Sequence, residues 1–441
     1  MKRFFGMMAV IAGVLGALVG LFAVFYLAAG GAAGLAQRLG APGFYGSSIV
    51  NVLTLMLVVV MIMASLLTVA ERKWSAAMQD RIGANRIRIF GTALGGVPYL
   101  AADALKMLTK EAIYPAARSR LFFEMAPVLA FAPTFALFAV VPVGPEVKVL
   151  GQQVALMVAN PDVGLLWIFA LAGLSVYGTT IAGWASNNRV GLLGGVRASA
   201  QMIGYEVSLG MSLVGVMLAY RTLNMQEMTV AQGAPVLGPF PALGILLQPV
   251  GFLVFFTSAF AETKRAPFDL PEGESEIVGY FVEYSGMKFG MLFLAEFVEI
   301  VILAGVVTAV FLGGWHPILF EGWLRENLSP LAFGAVGAAA FMAKVVVLSW
   351  LQLTIRWLLP RFRFDQIQGL CWKLLLPAAL LNVFVTGAAV LLDPSLNLLA
   401  WIGLAEIAAI FGVTTAVSRT PEPAGHGHGH DHGHAAHAAG H

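Results

Sequence analysis

Residues 261–276, AETKRAPFDLPEGESE, place many ionisable side chains directly after the uncharged apolar stretch 241–260. The segment contains five carboxylates and two cationic side chains: Glu262, Asp269, Glu272, Glu274, Glu276, Lys264 and Arg265. Carboxyl groups this close to one another disfavour joint ionisation, which favours proton exchange near neutral pH. Pro267 and Pro271 exclude a regular helix here. The pattern predicts a protonatable irregular loop at a membrane edge; a solvated acidic loop is the alternative.

Further ionisable side chains follow this loop and recur within apolar segments. Glu283 comes shortly after it, and Glu296 and Glu299 are three residues apart, on one face of a helix. Glu206 and Lys344 also lie inside apolar stretches. Because a charge at the bilayer centre costs about 2.5–3.5 kcal/mol, such groups usually face the protein interior or water. We predict a series of protonatable groups; single ion pairs, such as Lys344 with a glutamate of a neighbouring helix, are the alternative.

The composition indicates how these side chains are positioned. The 441 residues are 59% hydrophobic and 11% charged, with a mean hydropathy of +0.82, whereas soluble domains are about 25% charged. Recurrent apolar runs of about 18 residues or more predict an all-α, polytopic integral membrane helix bundle. About ten spans are expected, at 5–29, 49–70, 122–142, 164–184, 199–220, 241–261, 289–312, 331–354, 372–392 and 398–416.

The distribution of lysine and arginine predicts the orientation of the bundle. With a cytoplasmic N-terminus, four basic residues lie outside (Arg38, Lys148, Arg221, Arg325) and Lys344 lies in a span, so 26 − 4 − 1 = 21 lie inside. Basic residues concentrate on cytoplasmic loops, so both termini are expected in the cytoplasm. The first apolar run is long and lacks a prompt A-x-A site, which favours a retained helix over a signal peptide.

Two segments outside the spans have their own character. Within the loop 71–121, YLAADALKMLTKEAIY places Asp103, Lys106 and Lys110 on one face, which predicts an amphipathic helix on the membrane surface or against a partner. Seven of the eight histidines lie in the C-terminal segment. We therefore divide the chain into a membrane domain, 1–417, and a disordered His-rich tail, 418–441.

Several classes of function are disfavoured by the sequence. A net charge of +2 gives no reason to expect nucleic acid as a partner. The single cysteine, Cys371, excludes an internal disulfide and a cysteine-ligated iron–sulfur cluster. No P-loop, dinucleotide-binding glycine motif or H-E-x-x-H is present. We expect no metal site and no cofactor bound by this chain.

Four segments resemble one known family. They are AETKRAPFDLPEGESEIVGYFVEYSGMKFGMLFLAEF (261–297), AERKWSAAMQDRIGANRIRIFG (70–91), GWASNNRVGLLGGVRASAQMIGYE (183–206) and RWLLPRFRFDQIQGLCWKLLLPAALLN (356–382). In this order they resemble the H-type membrane subunits of bacterial NADH-quinone oxidoreductase, respiratory complex I, whose mitochondrial homologue is subunit 1. The resemblance covers about 49–392, eight of the ten spans, so one further helix lies at each end.

The resemblance implies a membrane component of the bacterial inner membrane. Such a component forms much of the quinone-access chamber with two peripheral-arm subunits and contacts small and antiporter-like membrane subunits. FMN and iron–sulfur clusters are held by partners, and the quinone, for instance ubiquinone, is the substrate. The matching quinone-site positions are Glu71, Arg72, Lys73, Arg81, Arg86, Arg265 and Asp269. Those matching the family's proton-coupling residues are Glu206, Glu262, Glu272, Glu274, Glu276, Glu283 and Glu296.

Two departures and two alternative functions accompany this resemblance. Ala84 stands where the family usually has proline, and Gly204 where serine is common. The homologous membrane component of a membrane-bound hydrogenase is one alternative, because related E-R-K and acidic-loop elements occur there. A stand-alone proton or cation transporter is the other, although neither an inverted repeat nor paired broken helices are evident.

Overall fold

Apolar stretches of the sequence form long helices in the computed structural model, which describes residues 2–87, 94–238, 240–271, 279–317 and 321–419. The helices are α1 (Lys2–Arg38), α2 (Gly43–Met78), α3 (Pro98–Thr109), α4 (Arg120–Leu137), α5 (Gly164–Ala185), α6 (Arg189–Tyr220), α7 (Met225–Ala231), α8 (Gly244–Leu247), α9 (Pro249–Glu262), α10 (Gly286–Phe311), α11 (Glu321–Asn327), α12 (Pro330–Leu358), α13 (Phe364–Leu392) and α14 (Asn397–Arg419).

Two short antiparallel hairpins interrupt the helices. The first pairs β1 (Gly144–Val149) with β2 (Gln152–Leu156), and the second pairs β3 (Pro235–Leu237) with β4 (Phe240–Pro241). Both lie in connections between long helices. They leave the predicted all-α class unchanged.

The predicted polytopic membrane bundle is confirmed. Within the described ranges, nine helices are long and apolar enough to cross a membrane, and α9 is a tenth, shorter apolar helix. Helices have no unpaired interior backbone groups, which is why they can cross hydrocarbon. Several helices extend beyond the predicted spans. The ends of these helices contain charged residues, which lower the mean hydropathy, so a search by hydropathy does not include them. The predicted amphipathic helix is present as α3, which we call the surface helix, and it ends at Thr109, before the predicted Tyr114.

Helix α10 is the centre of the bundle. In its most apolar 18-residue window 78% of the residues are buried, against 17% for α14. Its neighbours are α2, α3, α4, α7, α8, α9 and α12. A membrane helix that is apolar on all sides can occupy either the centre or the lipid boundary, so hydropathy alone did not distinguish these two helices. Close packing elsewhere depends on small residues, since a Cβ at Gly178 of α5 would lie 2.3 Å from the backbone nitrogen of Ala130 in α4.

The expected span 241–261 is a broken helix. The chain turns at Gln248, between α8 and the 14-residue α9, with φ −140° and ψ 58°. The buried Gln248 side chain accepts from Asn382 Nδ2 at 2.5 Å and donates to Thr386 Oγ1 at 2.6 Å. These polar partners in α13 satisfy the side chain at the break, where apolar neighbours would leave it unpaired. Proline at position 249 fits the first turn of α9.

Polar segments meet at one end of the bundle, which we call the charged end. It comprises 79–87, 94–119, 186–188, 263–271, 279–285 and 359–363, and it is held together by contacts between segments. Ile113 N donates to Ser285 Oγ at 2.8 Å, and the side chain of Arg361 forms an ion pair with Asp269 at 3.2 Å. Glu272, Glu274 and Glu276, and the tail from residue 420, lie outside the described residues. Helix α14 continues to Arg419, two residues into the predicted tail.

Lys344 lies at the C-terminal end of α10, opposite the charged end of the bundle. Its hydrogen-bond partners are about 30 residues earlier in the chain. Its ammonium donates to the carbonyl oxygens of Leu312 at 2.8 Å, Gly314 at 2.9 Å and His316 at 2.8 Å. Leu312 is the C-cap residue of α10, and a carbonyl at this position lacks an intrahelical donor and lies at the negative end of the helix dipole. Gly314 and His316 belong to the turn that follows. Lys344 therefore caps α10. Among the described residues it forms no direct ion pair with a glutamate, and Glu321 of α11 interacts with it only electrostatically.

Replacing Lys344 by methionine should destabilise the bundle. Three carbonyl groups would lose their donor, and an unsatisfied buried acceptor costs about 1–3 kcal/mol. We expect a lower apparent melting temperature for Lys344→Met in purified membranes, measured by protease resistance after heating. Lys148→Met is the matched control, because Lys148 is exposed on β1. Equal melting of the two variants would contradict the capping role.

Candidate functional site

Glu71, near the end of α2, binds two arginines at the charged end. Its Oε2 lies 2.6 Å from Nη1 of Arg265, and its Oε1 is paired with Nη1 of Arg356 in the last turn of α12. The side chains of Glu71 and Arg265 are 14% and 6% exposed. Charge-assisted hydrogen bonds are among the strong ones, and burial removes the screening by water. The carboxylate therefore joins α2, α12 and the loop after α9.

Arg265 extends this cluster to α10. Its Nη2 lies 3.7 Å from Oε2 of Glu296, and its guanidinium lies 3.9 Å from the centre of the Phe297 ring. Glu296 also accepts from the hydroxyl of Tyr280 at 3.3 Å. A guanidinium over an aromatic face is stabilised by the ring quadrupole, the more so when it is desolvated. Arg265 thus connects two carboxylates, one on α2 and one on the central helix.

A second cation, Lys264, lies between further carboxylates. Its Nζ is 3.5 Å from Oε2 of Glu299, and it interacts electrostatically with Glu296 and Glu262. Burial alone would lower the pKa of Lys264, but Glu299, Glu296 and Glu262 together raise that pKa above its ordinary value. Glu262 is 4% exposed and interacts electrostatically with Glu299 and with Glu206. We call Glu71, Glu262, Lys264, Arg265, Glu296, Glu299 and Arg356 the charged network.

The backbone after α9 turns sharply to aim these side chains inward. Lys264 adopts a left-handed conformation with φ 57°, which residues other than glycine adopt rarely. Buried Gln201 of α6 holds this turn, since its Nε2 donates to the carbonyls of Ala261 at 2.6 Å and Phe268 at 2.7 Å. The turn places two adjacent cations, Lys264 and Arg265, among carboxylates of different helices.

The balance of charges defines what this network can do. It contains four carboxyl groups and three cations, so full ionisation leaves one net negative charge (3 − 4 = −1) in a largely buried site. An uncompensated buried charge is costly, and neutralisation by a proton removes it. A net charge of this kind makes the network sensitive to any further charge that appears beside one of its members.

Lys264 should remain protonated throughout the neutral range. Its pKa is raised above 10.5, so its stabilising contribution is present at all pH values below 10.5 and is lost only as pH rises through the raised value. Arginine stays charged at every pH. We expect the difference in melting temperature between wild type and Lys264→Arg to be constant from about pH 6 to about pH 9. A wild-type protein that loses stability relative to this variant below pH 9 would contradict the protonation state.

The predicted quinone-site residues divide into two groups. Glu71 and Arg265 are in the charged network, whereas Arg72 points to the surface helix, with Nη2 2.7 Å from Oδ2 of Asp103. The remaining members line the charged end nearer solvent: Lys73 packs along Gly83 and Gly96, Arg81 donates to Gln79, Arg86 donates from its backbone nitrogen to the Tyr99 hydroxyl, and Asp269 is paired with Arg361.

The predicted proton-coupling residues that the structure describes lie in three places: the charged network, the charged end and a lateral cavity. Glu262 and Glu296 are in the charged network, and Glu283 accepts from Asn188 Nδ2 at 2.7 Å at the charged end. Glu206 borders an open cavity of about 500 Å³ between α5 and α6, beside Gly173 and Tyr177. Glu206 therefore connects Glu262 electrostatically with a lateral opening of the bundle.

Arg356 gave no signal in the sequence that would mark it as a candidate residue. It is a basic residue in the last turn of a helix, a position where arginine is common, so its type gives no specific signal. Glu299 and Lys264 were visible in the sequence as neighbours of predicted residues. Their role as an ion pair depends on how α9 and α10 meet.

Comparison with known proteins supports the family that the four sequence motifs indicate. The sequence model of the NADH dehydrogenase family matches residues 50–387. The second H-type subunit of NADH-quinone oxidoreductase from Syntrophobacter fumaroxidans is 42% identical over 340 residues, which cover 77% of this chain and 95% of the relative. The second such protein of Geobacter sulfurreducens is 41% identical, with 76% and 94% covered, and the first of Cytophaga hutchinsonii is 38% identical, with 77% and 96% covered.

Proposed function

Since the chain belongs to the family of H-type NADH-quinone oxidoreductase subunits, multi-pass membrane components of respiratory complex I, we propose that it couples quinone reduction to proton translocation. The observation that carries this proposal is the charged network. Glu71 and Arg265 match the family's quinone-site positions, and Glu262 and Glu296 match its proton-coupling positions. These two sets share direct and electrostatic contacts.

The quinone chamber lies at the charged end in this proposal. The polar head group of the quinone binds near Arg72 and Lys73, where cationic donors favour negative charge that develops during reduction. Two peripheral-arm subunits complete the chamber and deliver electrons from their FMN and iron–sulfur clusters. The charged end faces the cytoplasm of a bacterial cell, with both termini on the same side of the inner membrane.

Coupling proceeds through changes in charge. A negative charge that develops beside Glu71 favours protonation of the carboxyl groups that share its cations. Arg265 connects this event with Glu296, and Lys264 connects Glu296 with Glu299 and Glu262. From Glu262 the disturbance reaches Glu206 and the lateral cavity, where small and antiporter-like membrane subunits are adjacent.

Glu71→Gln tests the proposal in membranes that contain the assembled complex. Glutamine keeps the shape but removes the charge that holds Arg265 and Arg356 together. We expect NADH-dependent quinone reduction to fall roughly tenfold, a loss of about 1.4 kcal/mol in transition-state stabilisation. NADH oxidation by a water-soluble electron acceptor, which requires only the peripheral arm, should be unchanged.

Glu146→Gln is the control for this experiment, because Glu146 is exposed on β1, away from the charged end. Both activities should stay at the wild-type level in this variant. Wild-type quinone reduction in Glu71→Gln would contradict the proposed chamber. Copurification with a nickel–iron hydrogenase component, rather than an NADH-oxidising flavin protein, would contradict the proposed electron source.

A further inference from the structure

A small cavity lies at the charged end where the surface helix α3 meets the first turn of α10. Its volume is about 190 Å³, and its wall includes Lys106, Lys110, Tyr284 and Phe289. Pockets for drug-sized ligands measure roughly 300–1,000 Å³, so this cavity fits a small group or a fragment of a larger molecule. None of these residues is in the charged network.

Close backbone contact builds the cavity. Gly286, the first residue of α10, has φ 59°, and a Cβ there would lie 3.2 Å from the carbonyl oxygen of Lys110. A Cβ at Gly290 would lie 2.8 Å from the sulfur of Met107. Glycine at these two positions lets the end of α3 approach the start of α10, so the lysines of one helix adjoin the N-terminus of the other.

The N-terminus of α10 lacks a side-chain cap. Ser285 occupies the N-cap position, but its hydroxyl accepts from Ile113 N at 2.8 Å and makes no cap hydrogen bond to α10. The first N–H groups of a helix have no intrahelical acceptor and carry partial positive charge. Such N–H groups form a ready anion site when nothing else satisfies them.

Tyr284 provides an independent sign that a ligand binds in this cavity. Its side chain lines the cavity and is 5% exposed, and among the described residues its buried hydroxyl has no hydrogen-bond partner. Buried hydroxyls are nearly always hydrogen-bonded, because an unpaired one costs free energy. The ring is fixed by stacking on Phe123 at 4.1 Å, so the hydroxyl cannot simply turn to solvent.

The charges around the cavity are predominantly positive. Within the described part of the chain, no carboxylate forms an ion pair with the exposed lysines Lys106 and Lys110. Nearby carboxylates are engaged elsewhere: Asp103 pairs with Arg72, and Glu124, which interacts with Tyr284, pairs with Lys288. Glu111 follows Lys110 along the chain.

Apolar side chains beside the cavity distinguish a lipid from a free ion. Leu105 and Leu108 of α3 are 61% and 64% exposed, and Met287 at the start of α10 is 54% exposed. An amphipathic helix with exposed leucines and lysines lies in the plane of the membrane interface, with its leucines among acyl chains. Lysines at this depth attract anionic lipid head groups.

We propose that this cavity binds the phosphate group of an anionic phospholipid. Lys106 and Lys110 neutralise the phosphodiester, the first N–H groups of α10 and the Tyr284 hydroxyl donate to its oxygens, and the acyl chains lie along Leu105, Leu108 and Met287. The lipid would link α3 to α10, and so hold the surface helix on the bundle.

Lipid binding to the purified, delipidated complex tests this site. Short-chain phosphatidylglycerol, phosphatidylcholine and inorganic phosphate are titrated separately, and bound lipid is counted by mass spectrometry. For the wild type we expect about tenfold tighter binding of one phosphatidylglycerol than of phosphatidylcholine. Lys106→Gln/Lys110→Gln should remove this preference, and Lys148→Gln, the exposed control on β1, should keep it.

Tyr284→Phe is a second, milder variant that removes only the hydroxyl. It should assemble normally and weaken phosphatidylglycerol binding by about threefold, the effect of one hydrogen bond. Equal binding of the two lipids by the wild type, or an unchanged preference in the double lysine variant, overturns the proposal. Competition by inorganic phosphate at the concentration of the lipid would show a free-anion site and overturn the lipid as its ligand.

Discussion

Replacing Glu262 by glutamine should reduce coupled quinone reduction by roughly 10²-fold, the lower range of the loss seen when a positioned proton-transfer group is removed. Glu262 is buried at the end of α9, and it interacts electrostatically with Lys264, Glu299 and Glu206. Glutamine has nearly the same volume and cannot exchange a proton. The variant should therefore assemble and yet fail to transmit a change of charge from the network to Glu206.

Two measurements separate this effect from misfolding. The amount of this chain in the purified complex should equal that of wild type, and NADH oxidation by a water-soluble acceptor should persist. Proton uptake by vesicles should fall together with quinone reduction. Glu326→Gln is the matched control, because Glu326 is exposed in α11 at the opposite end of the bundle. Undiminished turnover and pumping in Glu262→Gln would remove Glu262 from the coupling path.

Replacing Arg265 by methionine should have the largest effect on stability. Arg265 compensates Glu71 and Glu296, and breaking a buried ion pair by removal of one partner costs about 3–5 kcal/mol. The stacking on Phe297 would also be lost. We expect a clearly lower apparent melting temperature of the complex, along with loss of quinone reduction, since Glu296 would lose its ion-pair partner and Glu71 would keep only Arg356.

A graded comparison tests the electrostatic origin of this loss. Arg363→Met removes the partner of Asp365, but the two side chains are 80% and 68% exposed, and exposed pairs contribute about 0–1 kcal/mol. Arg265→Met/Glu296→Gln should recover part of the stability, because the carboxylate that lost its ion-pair partner is gone, whereas Glu71 stays paired with Arg356. A double variant no more stable than Arg265→Met would show that packing, and not charge, explains the effect of Arg265.

The charged network and the proposed lipid site lie at the same end of the bundle but need different balances of charge. In the proposed function, the network requires buried groups whose charges nearly cancel, so that one proton changes the balance. The cavity at α3 and α10 requires cations that stay unneutralised by protein, so that an external anion binds. Because the two sites share no residue, variants at Lys106 and Lys110 should alter lipid content without the effects expected for Glu262 or Arg265.

The sequence predicted the helices well and their interruptions poorly. Long apolar runs have few alternatives to membrane helices, so the all-α bundle followed from composition. The break at Gln248 was not predicted, because glutamine is tolerated in many helices and its partners Asn382 and Thr386 lie in α13. The cap on α10 was missed for the same reason: Lys344 and the carbonyl group of Gly314 that it binds are 30 residues apart.

By itself the sequence determined the membrane bundle, the family and the presence of carboxylates in apolar surroundings, because these depend on residue type and local order. Only the tertiary structure decided which charges meet. Glu71 binds Arg265 and Arg356, which lie 194 and 285 residues further along the chain. Electrostatic energy depends on distance in space and on burial, and neither quantity is encoded in the spacing of residues along the chain.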